Sequence, residues 1–176
     1  MIDIGGMVDV FVIDPPWAKK KGGKRKIRPN QGRDLSYKTM SMAEIFVLLD
    51  SEIFWQAANT HSIFLWTIDE FLIASDLEME KRGYKRHARF IWDKCNGIAP
   101  CFTVRYSHEY LIWYYKPKLT PVAKEQRGKF TTVIREPARQ HSRKPDAAYK
   151  MIEAMFPNAT KLDVFSREKR DGWEQF

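Results

Sequence analysis

The sequence predicts an α/β fold, with helices on both faces of a largely parallel sheet. Short β-branched and apolar runs alternate along the chain with segments of helical character, which is typical of βαβ units. Ligands of such sheets bind outside the carboxyl ends of the strands. With 176 residues, of which 44% are hydrophobic, the chain can bury one full core, so we expect residues 1–176 to form a single domain.

The strand predictions follow from short apolar runs bounded by turn residues. The first run, Val8 to Ile13, is mostly β-branched and stops at the double proline Pro15-Pro16, as a buried strand would at a ligand-binding loop. Further strands are predicted at residues 62–68, 84–92, 108–115, 131–134 and 161–165. His108 and Glu109 open the strand predicted at residues 108–115, whose carboxyl end points elsewhere, and they receive no catalytic role.

The helix predictions rest on end signals. Ser41 is a suitable N-cap with Glu44 at the capping-box position, which predicts a helix through about residue 49. A second helix is predicted at residues 69–82, with Gly83 as its stop. Pro145 fits the first position of a third helix that runs to about residue 156.

Two common nucleotide-binding motifs are absent from the sequence. No GxGxxG motif follows a predicted strand, which disfavours an ordinary NAD-binding enzyme. No GxxxxGK[ST] loop occurs either, which disfavours an ATPase. A nucleotide-binding sheet remains plausible only with a different ligand-binding loop.

An excess of basic residues indicates a polyanionic partner. The formal net charge is +8, and much of it falls in a loop at about residues 18–36, directly after the double proline. We expect this loop to contact the phosphates of a nucleic acid. A solvated charge run and a nuclear-localisation signal are the alternatives. The candidate phosphate-binding residues are Lys20, Lys21, Lys24, Arg25 and Lys26.

The cysteines and the hydropathy pattern indicate a soluble cytoplasmic protein. Cys95 and Cys101 form no CxxC pair and lie near no metal-type histidine spacing, so we expect reduced thiols and no metal site. No apolar run approaches the ~18 residues that a membrane helix needs, so no membrane partner is expected.

The Asp14-Pro15-Pro16-Trp17 motif follows the first predicted strand and is the best candidate for catalysis. An exocyclic amine of a nucleobase is a poor nucleophile, because its lone pair is delocalised into the ring. A carboxylate and a backbone carbonyl that accept its two hydrogens would favour the charge that develops on the nitrogen. Two prolines fix the turn and remove N–H donors. Trp17 offers a surface for stacking a flipped base, while the alternative is a strand-ending turn with a core tryptophan.

Several separated motifs of the chain resemble one family. The sequences DPPW at residues 14–17, SYKTMS at 36–41, FIWDK at 90–94, HSRKPD at 141–146 and KLDVFSR at 161–167 look like the MT-A70 family of adenine methyltransferases, in the same order. That family includes mRNA and DNA enzymes. The resemblance implies a Rossmann-like class I methyltransferase sheet in permuted motif order, with S-adenosylmethionine as cofactor.

The same resemblance implies roles for individual residues around the target amine. By position, Asp14 and Pro15 would bind the amine, and Asp14 and Pro16 would also lie near the cofactor. Trp17 and Tyr37 would flank the target base. These assignments place catalysis in the DPPW turn, with residues 14–17 as the catalytic set.

A second group is implied on the cofactor side. Lys144 resembles the family lysine that reaches the methionine carboxylate of the cofactor, and a lysine suits a carboxylate as a point charge. Phe165, Ser166 and Arg167 resemble the residues around the cofactor ribose. For Lys144 and Arg167, the alternative is a solvated surface charge.

The resemblance also frames the expected substrate and assembly. We expect methylation of adenine in DNA, because a small domain with a lysine-rich loop resembles prokaryotic or phage members; RNA is the alternative substrate. A non-catalytic nucleic-acid-binding subunit is a further alternative, although such partners typically lose the DPPW motif. Relatives often pair their methyltransferase domains, so a homodimer is expected.

Overall fold

The computed structural model describes residues 7–18, 38–98, 103–139 and 143–176. The strands are β1 Val8–Ile13, β2 Ala57–Thr67, β3 Lys85–Asp93, β4 His108–Lys116, β5 Val133–Arg135, β6 Lys161–Val164 and β7 Glu174–Gln175. The α-helices are α1 Met42–Leu48, α2 Leu72–Lys81 and α3 Asp146–Met155. Short π and 3-10 turns extend α1 at Leu49–Ile53 and Phe54–Gln56, precede α2 at Asp69–Phe71, and form Lys124–Gln126.

The strands form one mixed sheet in the order β5-β3-β4-β2-β1-β6-β7. β1 pairs in parallel with β2 and β6, β3 with β5, and β6 with β7, whereas β4 is antiparallel to β2 and β3. The α/β, Rossmann-like prediction is confirmed. The reversal of β4 places the beginning of this strand at the edge where its neighbours have their carboxyl ends.

Helices cover both faces of the sheet, as the sequence predicts. β1 is buried on both sides, which explains its nearly continuous apolar run. Phe11 and Ile13 belong to one cluster with residues of α1 and with Met79 of α2. Val10 and Val12 belong to a second cluster with residues of α3. Full burial of each such side chain contributes roughly 1.5–3 kcal/mol to folding.

The end signals of the helices are confirmed, with small shifts in their bounds. Ser41 and Glu44 form a reciprocal capping box, in which the Ser41 N–H donates to Glu44 Oε2 over 2.7 Å. Gly83 follows α2 with a φ of +79°, a conformation that favours glycine. Pro145 is the N-cap of α3 and not its first residue.

The strand bounds differ more where periodicity is weak. β2 begins at Ala57, five residues before the predicted start at residue 62, and β7 has no counterpart in the prediction. A strand of two residues carries no alternation that the sequence could show. Within the described residues, no helix combines the length and the apolar character needed to cross a membrane.

Candidate active site

The carboxyl ends of β1, β2 and β6, the beginning of β4 and the segment before α3 surround a cavity of about 700 Å³. Every residue of the Asp-Pro-Pro-Trp motif lines this cavity, and so do Lys144 and the three residues after β6. Its size is within the usual range of small-molecule sites. The structure thus brings together the predicted catalytic and cofactor-binding residues Asp14, Pro15, Pro16, Trp17, Lys144, Phe165, Ser166 and Arg167.

The double-proline turn is fixed by backbone hydrogen bonds. The Asp14 N–H donates to the carbonyl of Val164 in β6, which holds the start of the turn against the neighbouring strand. The Trp17 N–H donates to the Pro15 carbonyl over 2.8 Å, and the Met40 N–H donates to the Pro16 carbonyl over 2.9 Å. A carbonyl oxygen has two lone pairs, so the Pro15 oxygen can accept a second hydrogen bond from a ligand.

Trp17 is largely buried at the end of this turn. Only 6% of the residue is exposed, and its indole N–H donates to the Trp66 carbonyl over 3.1 Å. One face of the ring stacks on Phe71, with ring centroids 5.0 Å apart. Trp17 therefore packs in the core as well as lining the cavity, and its stacking on a target base stays a prediction.

Lys144 connects two acidic residues in the cavity wall. Its Nζ lies 2.9 Å from Asp14 Oδ1 and 3.1 Å from Glu109 Oε2. The other carboxylate oxygen of Glu109 accepts from Lys94 Nζ over 2.7 Å. Asp14, Lys144, Glu109 and Lys94 form an alternating row of charges, which we call the charge row. The row has no net charge when all four groups are ionised.

The environment of the charge row shifts the pKa values of its members. Burial raises the pKa of Asp14 above its ordinary value, although the charge of Lys144 opposes the shift. Burial would also raise the pKa of Glu109, but Lys144 and Lys94 outweigh it and the pKa is lowered. Burial disfavours charge on Lys144, yet the two carboxylates outweigh it and raise its pKa. Lys144 and Glu109 therefore stay charged at neutral pH.

The segment before α3 is held in place from outside the helix. Both carboxylate oxygens of Glu136 accept hydrogen bonds from the first backbone N–H groups of the helix, at Asp146 over 3.0 Å and at Ala147 over 2.8 Å. Arg139 bridges the Glu136 and Asp146 carboxylates at 2.7 Å each. These contacts cap the helix and fix the backbone two residues after Lys144.

The residues after β6 form the opposite wall. Phe165 has a φ of +65°, which is uncommon for a residue with a side chain and typical of functional turns. Its N–H donates to the Phe176 carbonyl over 2.8 Å. Ser166 Oγ donates to the Glu168 carbonyl over 3.0 Å. This turn directs Arg167 to the cavity, where its charge opposes the rise that burial causes in the pKa of Asp14.

Asp163, the third residue of β6, is a buried acid behind this wall. It is 1% exposed, and burial raises its pKa to about 6. The Tyr149 hydroxyl donates to Asp163 Oδ1 over 3.4 Å, and Arg170 Nε lies 3.8 Å from Oδ2. The Arg170 guanidinium also stacks on the Tyr149 ring at 3.6 Å.

Comparison with known proteins identifies the family. The MT-A70 family model matches residues 8–176. The chain belongs to the MT-A70 family. It is 28% identical over 177 residues to an Arabidopsis thaliana protein named N(6)-adenosine-methyltransferase MT-A70-like, covering 98% of this chain and 24% of the relative. It is also 28% identical over 182 residues to the type II methyltransferase M.MunI of Mycoplasma sp, covering 95% of this chain and 75% of the relative.

The two relatives differ in how much of their length is matched. The chain spans about a quarter of the length of the plant relative and three quarters of M.MunI. A Medicago truncatula protein with the MT-A70-like name is matched over 26% of its length at 28% identity. The matched part of each relative is thus the part that corresponds to the sheet and cavity described here.

Several residues that line the cavity are not among the site residues that the sequence predicts. Glu109 receives no catalytic role from the sequence because it opens a strand, and only the antiparallel course of β4 brings it to the site. Lys94 ends the FIWDK motif, which is a usable signal for a site residue. Trp66 and Trp92 line the cavity near the carboxyl ends of β2 and β3, and they are not among the predicted site residues.

Other predictions concern residues that the structure does not describe. Tyr37 and the basic residues Lys20, Lys21, Lys24, Arg25 and Lys26 lie outside the described residues. Their expected contacts with the base and the phosphates stay predictions. Among the described residues, no group of three or more His, Cys, Asp or Glu side chains is arranged to hold a metal ion.

Proposed function

We propose that the protein transfers a methyl group from S-adenosylmethionine to the exocyclic amino group of an adenine that is flipped out of DNA. The observation that carries this proposal is the position of Asp14, at the end of β1, in the cavity and 2.9 Å from the buried Lys144. A carboxylate held beside a fixed double-proline turn suits the binding of an amine. Membership of the MT-A70 family supports the same chemistry.

Asp14 and Pro15 are the groups that act on the target amine. The Asp14 carboxylate and the free lone pair of the Pro15 carbonyl accept its two N–H groups, which draws the nitrogen toward tetrahedral geometry. The positive charge that develops on the nitrogen is then stabilised by the carboxylate. The turn is preorganised by its hydrogen bonds, so little reorganisation is needed during the reaction.

Lys144 and Glu109 control the position and the protonation of the Asp14 carboxylate. Lys144 is shared between two carboxylates, so the pair with Glu109 remains when an Asp14 oxygen turns to the amine. The raised pKa of Asp14 also makes it the acid of the row best suited to accept a proton from the methylated nitrogen. Glu109 is thus proposed as a positioning residue for Lys144.

The residues of the cavity fit the proposed cofactor. S-adenosylmethionine supplies an electrophilic methyl group on a sulfonium, and it carries a carboxylate, an ammonium and a ribose. Lys144 and Arg167 line the cavity and are cations that suit the carboxylate. Asp163 lies behind the cavity wall, and its buried carboxylate has an oxygen with no hydrogen-bond partner among the described residues. Phe165 and Ser166 would line the ribose side.

DNA is proposed over RNA because of the extent of the match to M.MunI. The chain covers 75% of that type II methyltransferase, and its basic loop suits sequence-independent phosphate contacts. The plant relatives carry adenosine methyltransferase names, which supports RNA as the second candidate. A non-catalytic subunit is disfavoured by the intact Asp-Pro-Pro-Trp turn. Homodimer formation, the single-domain organisation and the cytoplasmic location stay predictions.

The proposal is tested by tritiated methyl transfer from S-adenosylmethionine to duplex DNA, single-stranded DNA and RNA in parallel. We expect incorporation into DNA, recovered as N6-methyladenine after digestion. Incorporation into RNA alone would support the second candidate. Incorporation into none of the three, by a protein that is folded and binds nucleic acid, would contradict the enzymatic proposal.

A further inference from the structure

Trp66, near the carboxyl end of β2, has a buried hydrogen-bond donor without an acceptor. The residue is 1% exposed and lines the cavity. Its indole Nε1 has no hydrogen-bond partner among the residues that the structure describes. An indole N–H can only donate, and leaving such a buried donor unpaired is unfavourable, because the group loses its hydrogen bond to water and gains none in return.

The other buried and half-buried tryptophans that the structure describes differ from Trp66 in this respect. Their indole N–H groups all donate to protein acceptors. Trp17 donates to the Trp66 carbonyl, Trp92 to the Glu136 carbonyl over 2.8 Å, Trp113 to Ser62 Oγ over 2.9 Å, and Trp173 to Glu153 Oε1 over 2.8 Å. Among the described residues, the unpaired donor thus occurs at a cavity-lining tryptophan whose ring packs in the same core cluster as Trp92 and residues of α3, and whose backbone carbonyl accepts from Trp17.

The described neighbours of Trp66 do not supply an acceptor. Lys144 Nζ lies 5.5 Å from the ring centroid and is itself a donor. The ring of Trp92 meets Trp66 in a T-shaped contact, with centroids 6.0 Å apart. Lys144 pairs with Asp14 Oδ1 and Glu109 Oε2, and neither carboxylate accepts a hydrogen bond from the Trp66 N–H. Because the described residues supply no acceptor, the Trp66 N–H is available to a molecule that enters the cavity.

We propose that the Trp66 N–H donates to a ring nitrogen of the target adenine, on one side of its amino group. This inference rests on the proposed function. The hydrogen bond from Trp17 to the Trp66 carbonyl fixes the end of β2 against the Asp-Pro-Pro-Trp turn. Trp66 lines the same cavity as Asp14, and Lys144 Nζ lies 2.9 Å from Asp14 Oδ1 and 5.5 Å from the Trp66 ring centroid, so a base whose amine is held by Asp14 lies within reach of Trp66. N1 and N7 of adenine flank the amino group and accept hydrogen bonds, which complements a group that can only donate.

A hydrogen bond to a ring nitrogen would orient the base as well as bind it. Asp14 and the Pro15 carbonyl contact only the amino group, about whose bond to the ring the base could still rotate. A third contact to N1 or N7 would fix the plane of the ring relative to the turn. Trp66 is thus assigned the role of positioning the target base.

The experiment combines changes in the protein with changes in the base. Wild-type protein and Trp66→Phe are compared on single-stranded oligonucleotides whose target base is adenine, 1-deazaadenine or 7-deazaadenine. Methyl transfer gives kcat/KM, and fluorescence anisotropy gives affinity without turnover. A matched set uses 3-benzothienylalanine at position 66, which keeps the shape of tryptophan and removes the N–H.

For the wild type, we expect about a tenfold loss with one of the two deaza analogues. The Trp66 variants should lose about tenfold on adenine and show no further loss on that same analogue. Trp92→Phe is the control, because Trp92 lines the same cavity but its N–H is bonded to Glu136. This variant should retain the full penalty for the analogue.

Three results would overturn the inference. The first is a wild type that treats adenine and both analogues alike, and the second is a Trp66 variant that keeps the wild-type sensitivity to them. The third is a Trp66 variant that instead loses affinity for S-adenosylhomocysteine in calorimetry, which would make the cofactor carboxylate the acceptor. A wild type that methylates no substrate would contradict the proposed function, while the anisotropy comparison would still test the contact with the base.

Discussion

The two halves of β2 bury polar groups in different ways. In its amino half, His61 Nδ1 donates to the Ala58 carbonyl over 2.7 Å, and its Nε2 accepts from the Tyr84 hydroxyl over 3.0 Å. Both ring nitrogens of this neutral histidine are therefore paired. At the carboxyl end, Trp66 has a donor with no partner among the described residues and lies beside the charge row.

This difference between the two ends of β2 indicates where buried polar groups lower the stability of the fold. Neutral hydrogen-bonded pairs are tolerated in a core with little penalty, whereas buried charges carry a desolvation cost that their mutual attraction often does no more than repay. Both the charge row and the Trp66 donor, which is unpaired among the described residues, occur at the cavity, where a ligand can reach them. Changes at the two ends of β2 should therefore have different consequences.

The largest effect is expected at Asp14. Replacement by Ala removes the acceptor for the amine and should abolish methyl transfer, because removing a preorganised hydrogen-bonding group at the reacting atoms costs at least ~2.7–4 kcal/mol in the transition state. Asp14→Asn keeps an oxygen without the charge and should retain a trace of activity. Both are measured by tritiated methyl transfer, with the exposed Asp69→Ala as control. Near wild-type turnover by folded Asp14→Ala would refute the catalytic assignment.

A smaller but still large effect is expected at Glu109. Glu109→Gln leaves Lys144 with Asp14 as its one charged partner in the row, so Asp14 should be less available to the amine. We expect kcat to fall by roughly tenfold or more, equivalent to ~1.4 kcal/mol, with KM for nucleic acid little changed. Glu125→Gln, in a short turn away from the cavity, is the control. An unchanged kcat would show that the row is structural.

A different charge effect is expected in the basic loop at about residues 18–36. Neutralising Lys20, Lys21, Lys24 and Lys26 together should weaken nucleic-acid binding without changing cofactor affinity. On duplex DNA, the slope of log affinity against log salt should fall by about 0.9 units for each phosphate that is no longer neutralised by a lysine. Titrations at several salt concentrations measure this slope. If the slope matches that of the wild type, the loop does not bind phosphates.

The smallest effect is expected at His61, on stability. Burial lowers the pKa of His61 in the folded protein below its ordinary value of 6.5. Below about pH 6.5 the unfolded chain takes up the proton more readily, so this contribution to stability is present above that pH and is lost as the pH falls. The loss is at most ~1.4 kcal/mol per pH unit.

The measurement compares wild type with His61→Gln by denaturant unfolding between pH 7.5 and 5. The difference in free energy of unfolding between the two proteins should shrink toward low pH. His87→Gln, at an exposed position on β3, is the control and should leave the wild-type pH dependence intact. A difference that stays constant with pH would mean that His61 does not titrate differently on folding.

Local signals in the sequence were sufficient for much of the fold. The β-branched run ending at a double proline predicts β1 and its turn, and Ser41 with Glu44 predicts the start of α1, because these features depend on residues close in the chain. Elements that depend on residues distant in the chain were not predicted, because no local signal marks them. β7 has two residues and is formed only by pairing with β6.

The candidate site divides in the same way. The sequence by itself determined the Asp14-to-Trp17 turn, the concentration of basic residues that follows it and, through the ordered motifs, the family. Tertiary structure alone decided that β4 runs antiparallel and so brings Glu109 to Lys144, and that Trp17 stacks on Phe71 while Trp66 is left with a free donor. The physical reason is that strand direction and side-chain pairing are set by long-range packing, which no local pattern of residues encodes.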